Sequence, residues 1–165
     1  LANKLVDIAL ADSADKAKEE AKGLIDEVIQ KVGENVILGR IEEATGNAVG
    51  LYVHDGRIAT LVELSGENEV LAKDLAMHIA AMNPEFTTRD EVPESTLASI
   101  KEISMKEVEE SDKPAEIKAK MLEGKVEGYL KERTLLDQAF FKDTNKTVKQ
   151  VLGNDTVVRF TRISL

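Results

Sequence analysis

Few residues in this sequence stand in a pattern that would move protons, hold metals or attack a substrate. His54 and His78 are the two histidines, and there is no cysteine. That composition excludes a thiolate zinc site, a cysteine nucleophile and a disulfide, and it argues against a structural zinc site. Glu123-Gly124-Lys125 resembles the end of a phosphate-binding loop. Ala119 stands where the first glycine belongs, Val126 replaces the hydroxyl residue, and the setting is mid-helix, so the match fails. No G-x-S-x-G nucleophile turn and no G-x-G-x-x-G dinucleotide loop occurs. Acidic residues are numerous, but Glu19, Glu20, Glu107, Glu109 and Glu110 read as solvated helix faces, and nothing singles out a catalytic pair. No cofactor and no metal is expected.

The charge balance narrows the partners. Net charge is −9 and the pI about 4.9. An acidic surface disfavours nucleic acid and anionic membranes and leaves basic or mixed-charge proteins. No stretch approaches the roughly 18 apolar residues of a membrane-spanning helix. The 165 residues are 42% apolar and 4% aromatic, which suits one domain, or two small ones, with an aliphatic core.

The elements that must position any site centre on residues 49–84. Asp55-Gly56 lies between apolar runs and both residues tolerate positive φ, the mark of a type I′ hairpin turn. Val49, Leu51 and Val53 alternate before it, and Ile58, Thr60, Val62 and Leu64 after it. Each set reads as the buried face of a half-buried strand. Ser65 or Asn68 caps the helix that follows, with Leu71, Leu75, Ile79 and Met82 on its inner stripe and Asn83-Pro84 as its stop.

Two helices precede this centre, the second carrying Ala17, Ala21, Leu24, Ile25 and Val28 on one face and ending at Gly33. Residues 36–43 read as a strand. After it come a polar connection over 85–93, a helix over 94–110, and a break at Ser111 to Pro114. A further helix reaches Arg133, and the stretch 134–143 is less regular. A short helix over 146–152 then leads to a closing strand over 156–163. Gly33-Glu34-Asn35 before one strand resembles Gly153-Asn154-Asp155 before the other, which suggests two related units. The fold expected is α+β: two related subdomains with small antiparallel sheets backed by helices, residues 1–46 being the end of a truncated first and 47–165 the second. The chain starts inside a helical pattern, so it is expected to be a fragment.

Three stretches carry a family pattern. The first is Lys31, Val32, Gly33, Glu34, Asn35 and Val36. The second joins Tyr52, His54, Gly56, Arg57 and Ile58 to Ala76-Met77-His78-Ile79-Ala80-Ala81 and Asn83-Pro84. The third is Lys113-Pro114, Ile117, Lys120-Met121, Glu123-Gly124, then Leu135-Leu136, Gln138, Phe140, Lys142-Asp143 and Lys146-Thr147-Val148. Together they span nearly the whole chain, which resembles translation elongation factor Ts. The resemblance implies a guanine-nucleotide exchange factor for elongation factor Tu, acting by protein binding without bond chemistry. It also implies a core of two α+β subdomains, the second often called the dimerisation domain, and a bacterial cytoplasmic, mitochondrial or chloroplast setting.

The family's Thr-Asp-Phe wedge beside the nucleotide pocket occurs nowhere in these residues, nor does its N-terminal helical domain. Ala59 stands where the family usually has glycine, and Ala139 where it often has proline. The resemblance implies docking on the GTPase with poor exchange by this chain alone, and partner contacts at His78, Ile58 and Ala59. Taken without it, His78 is a partly buried histidine bonded to backbone, and Ile58 and Ala59 are ordinary strand residues. His54 reads as a turn-edge residue and Met77 and Met82 as core filler. Of the adjacent Phe140 and Phe141, one is expected inside and the other exposed as an anchor. Two other readings stand beside exchange: a homodimerisation module, and a small-molecule enzyme with a deep pocket of perturbed carboxylates.

Overall fold

The hairpin at Asp55-Gly56 forms in the computed structural model, which describes residues 1–164. Strands β1 (Ala48–His54) and β2 (Ile58–Leu64) pair antiparallel, Ala48 opposite Leu64 and His54 opposite Ile58. Asp55 (φ 50°) and Gly56 (φ 68°) supply the two positive φ angles, and the Arg57 N–H donates to His54 O at 2.9 Å. Arg57 makes the loop three residues long. Strand β5 (Val157–Ser164) pairs antiparallel on the other side of β2. Glu63 faces Arg159 and Leu64 faces Val157, so Val158 is the bulged residue.

Helix α3 (Glu69–Met82) covers one face of this sheet. Asn68, rather than Ser65, caps it, accepting from the Leu71 N–H at 3.0 Å. Leu75 and Ile79 on α3 and Val62 and Leu64 on β2 are fully buried. Each such side chain stabilises the fold by about 1.5–3 kcal/mol on area grounds. Thr60, on the same face, satisfies its hydroxyl by donating to Ala76 O at 2.7 Å.

On β1 the expected face is reversed. Ala48 and Gly50 point at α3 and are buried, while Val49, Leu51 and Val53 line the opposite face, Leu51 at 60% exposure. At Gly50 the backbone of Ala72 and Lys73 comes too close for any side chain, and Tyr52, the next residue on that face, sits where the helix leaves room for a ring.

The chain divides into two compact units, Leu1–Ala44 and Thr45–Leu165. In the first, α1 (Ala2–Ala11) lies against α2 (Ala14–Val32), with Leu5, Ala17 and Ala21 buried. Ser13 caps α2 and Gly33 ends it in the left-handed region at φ 72°. The strand expected over 36–43 does not form. Its β-branched and apolar run, Val36-Ile37-Leu38 with Ile41, favours a pleated strand only where a neighbouring strand takes its ladder bonds, and it joins neither sheet.

In the second unit, α4 (Glu94–Glu109) and α5 (Ala115–Arg133) form a helical hairpin, with Pro114 the residue before α5. No residue of α5 is fully buried. The base of this arm is stitched by backbone bonds from Glu85 and Phe86 N–H to Arg133 O and from Leu135 N–H to Phe86 O. Where an irregular stretch was expected, β3 (Ala139–Phe140) and β4 (Asp143–Thr147) form a small hairpin. Helix α6 (Val148–Leu152) follows it, opened by a capping box between Thr147 and Gln150.

Candidate functional site

The second half of α3 is flanked by two open grooves. The first lies under the hairpin tip, lined by Tyr52, His54 and Ile58 from the strands, Met77, Ala80 and Ala81 from α3, and Arg162 from β5. Tyr52 Oη and His54 Nδ1 are 3.0 Å apart at its rim. The second groove shares Ala81 and runs past Met82 and Asn83 to Lys131, Arg133, Gln138 and Ala139. Asn83 adopts the left-handed conformation (φ 48°) that closes the helix, and this exposes Met82 at the groove edge. Met77 and Met82 therefore line grooves instead of filling the core.

The three expected contact residues do not share one patch. Ile58 is half-buried in the first groove. Ala59, the next residue, points to the other face of the sheet, opposite Val53 and Ile163. His78 is fully enclosed on the far side of α3. Its Nε2 lies 2.9 Å from Gln138 Oε1, and its Nδ1 lies 3.4 Å from the Phe141 N–H. Burial pushes the His78 pKa below its ordinary value, with the Gln138 contact partly opposing the shift. Of the adjacent phenylalanines, Phe140 is buried at 5% exposure and Phe141 is 39% exposed.

Sequence reading missed the partner of His78. Gln138 stands 60 residues away, and only its place in a family motif marked it. A second missed feature is the cluster on Arg89, which lies in a 3-10 turn (Arg89–Glu91). Its guanidinium donates twice to Glu127, at 2.8 and 2.5 Å, and also to Asp137. These bonds hold the Glu127 carboxyl below its usual range and raise the Arg89 pKa. Glu127 lies exposed at the edge of an open groove with Leu122 and Val126, and its shift comes first from the bonds to Arg89, as in an ordinary surface ion pair. Among the described residues no group of three or more His, Cys, Asp or Glu side chains is arranged to hold a metal ion.

The described surface of the second unit thus carries two open grooves beside α3, an exposed aromatic ring and an apolar row on the sheet. The family model for elongation factor Ts matches residues 1–165. The chain is 45% identical over 141 residues to elongation factor Ts of Hahella chejuensis, covering 85% of this chain and 47% of that protein. It is 42% identical over 164 residues to that of Ralstonia nicotianae (93% and 56%), and 37% identical over 166 residues to that of Pseudoalteromonas atlantica (99% and 57%). The chain thus belongs to the elongation factor Ts family, and it spans about half the length of these curated relatives.

Proposed function

We propose that this chain is the partner-docking core of a guanine-nucleotide exchange factor for elongation factor Tu, acting in the bacterial cytoplasm. The observation that carries the reading is the family match over residues 1–165. The described surface is in keeping with it, since grooves and apolar side chains suit a protein partner. An exchange factor of this kind breaks no bond. It binds the nucleotide-free GTPase more tightly than the GDP-bound form, and by reciprocity it weakens GDP binding by the same factor. Ile58 and Ala59, at the tip of the hairpin, are the contact residues proposed, with His78 contributing from inside.

No Thr-Asp-Phe sequence occurs in these residues, so this chain docks on the GTPase but accelerates GDP release weakly by itself. The test is a binding and exchange assay with elongation factor Tu loaded with fluorescent GDP. Binding with little acceleration is the expected result. Full acceleration overturns the division of labour, and no binding overturns the docking role.

A second reading, a homodimerisation module, is favoured by one feature. Val49, Leu51 and Val53 form an exposed apolar row on the sheet face away from α3. Concentration-dependent mass in sedimentation, abolished by Leu51→Lys, supports that reading. A mass independent of concentration removes it.

A further inference from the structure

His78 is fully buried, so it has no surface with which to meet a partner. It does reach the surface through its neighbours. Gln138 donates its side-chain N–H to Glu132 O at 2.5 Å. That bond turns Gln138 Oε1 toward His78, so His78 Nε2 carries the proton and donates to it at 2.9 Å. His78 Nδ1 is then a bare acceptor, and the Phe141 N–H donates to it at 3.4 Å. The chain of bonds runs from the last turn of α5, through the interior, to the turn of the β3–β4 hairpin.

Phe141 and Lys142 are the two residues of that turn, since Phe140 pairs with Asp143. The Phe141 ring lies 6.1 Å from the His78 ring and 5.2 Å, edge-on, from the ring of Phe140. Lys142 Nζ sits 5.9 Å over the Phe141 ring and pairs with Asp74 of α3 at 2.6 Å. An aromatic ring that is 39% exposed but held from beneath by two rings, at its backbone by a buried acceptor and from above by a tethered cation has little conformational freedom left. A large ring held in its bound orientation makes an effective interface anchor, because little entropy is lost on docking.

We propose that His78 is a positioning residue: it holds Phe141 as the aromatic anchor offered to an apolar socket on the GTPase partner, and does not itself touch that partner. The proposal rests on the docking reading above. It gives His78 a part in docking although the side chain is buried.

Two substitutions separate the two nitrogens. Asn at position 78 keeps an acceptor near the place of Nδ1, whereas Gln keeps polar contact near the place of Nε2 and removes the acceptor. In the 165-residue chain, His78→Gln is expected to speed exchange of the Phe141 amide hydrogen roughly tenfold, while His78→Asn leaves it near wild type. Affinity for nucleotide-free elongation factor Tu, measured by calorimetry, is expected to fall roughly tenfold in Phe141→Ala. It should fall similarly in His78→Gln, and no further in the double variant than in Phe141→Ala alone.

Additive losses mean that His78 contacts the partner independently, which overturns the proposal. So does unchanged Phe141 exchange in His78→Gln. Wild-type affinity in Phe141→Ala overturns the anchor even if His78→Gln does not fold, since Phe141 is at the surface. Absence of binding by the unmutated chain overturns the docking reading and the anchor with it, whereas the Phe141 exchange result still decides whether His78 positions that turn.

Discussion

A Cβ on Gly50 would lie 2.0 Å from the carbonyl oxygen of Ala72. Strand β1 and helix α3 touch backbone to backbone at this point, and only glycine permits it. The obstructing atoms belong to a helix main chain, so no rotamer change relieves the clash. Gly50→Ala is expected to destabilise the second unit by about 3 kcal/mol or more, the upper end of overpacking costs. Chemical denaturation followed by circular dichroism checks it. A loss below about 1 kcal/mol would mean that α3 slides along the sheet at little cost.

Glycines in α5 behave oppositely. Gly124 and Gly128 lie mid-helix, and a Cβ at either meets nothing within 4 Å. Each exposes backbone and raises the entropy of the unfolded chain without serving a close contact. Gly124→Ala and Gly128→Ala are each expected to stabilise the arm by about 0.5–1 kcal/mol. The readout is slower hydrogen exchange across α4 and α5. Unchanged or faster exchange would show that flexibility here is set by something other than helix propensity.

The sequence was legible where the signal is local. Asp55-Gly56 marked the hairpin, Asn83 marked the end of α3 and Gly33 the end of α2, and the cap of α3 was narrowed to Ser65 or Asn68, because turns and caps are decided within four residues. The inward face of β1 was not legible. Its bulky side, Val49, Leu51 and Val53, is the natural choice for burial, and the rule failed because the distance of approach to α3 outweighs hydrophobicity. The 36–43 strand failed for a related reason: a β-branched apolar run suits a strand, but the ladder partner is not a local property. The His78–Gln138 and Arg89–Asp137 pairs join positions 60 and 48 residues apart, and no spacing rule reaches that far.

His78 also makes a pH prediction. Burial keeps it neutral in the fold, with a pKa below the ordinary 6.5, and the groups it bonds to or stacks on, Gln138, Phe140 and Phe141, carry no charge. As pH falls below 6.5 the unfolded chain takes up a proton that the folded chain resists. The stability that His78 contributes is therefore complete above pH 6.5 and is lost on acidification toward the lowered folded pKa. The slope is at most about 1.4 kcal/mol per pH unit. Denaturation midpoints of wild type and His78→Asn between pH 7.5 and 5.5 are the measurement. The wild type is expected to lose stability faster, and parallel slopes would show that the folded protein accommodates the imidazolium.

Arg89 ties the arm to the body. It grips Glu127 on α5 and Asp137 just beyond the helix, while Arg133 pairs with Glu85 on the same side. Exposed ion pairs add little to global stability, so Arg89→Gln is expected to move the unfolding midpoint hardly at all. Its effect should be on the direction of the arm, because the rest of the α4–α5 hairpin packs chiefly on itself. The chain contains no cysteine, so spin labels at Asp112→Cys in the arm's turn and Val158→Cys on the sheet report a single distance. The wild type should give a narrow distribution and Arg89→Gln a broad one. The Glu127 carboxyl is held below its usual 4.5 chiefly by Arg89, so the Arg89–Glu127 half of the clamp is intact above that pH and is lost as pH falls through the lowered value. The wild-type distribution should therefore broaden in acid toward that of the variant. An equally narrow distribution in Arg89→Gln would place the hold on the arm in the backbone bonds at Arg133 and not in the ion cluster.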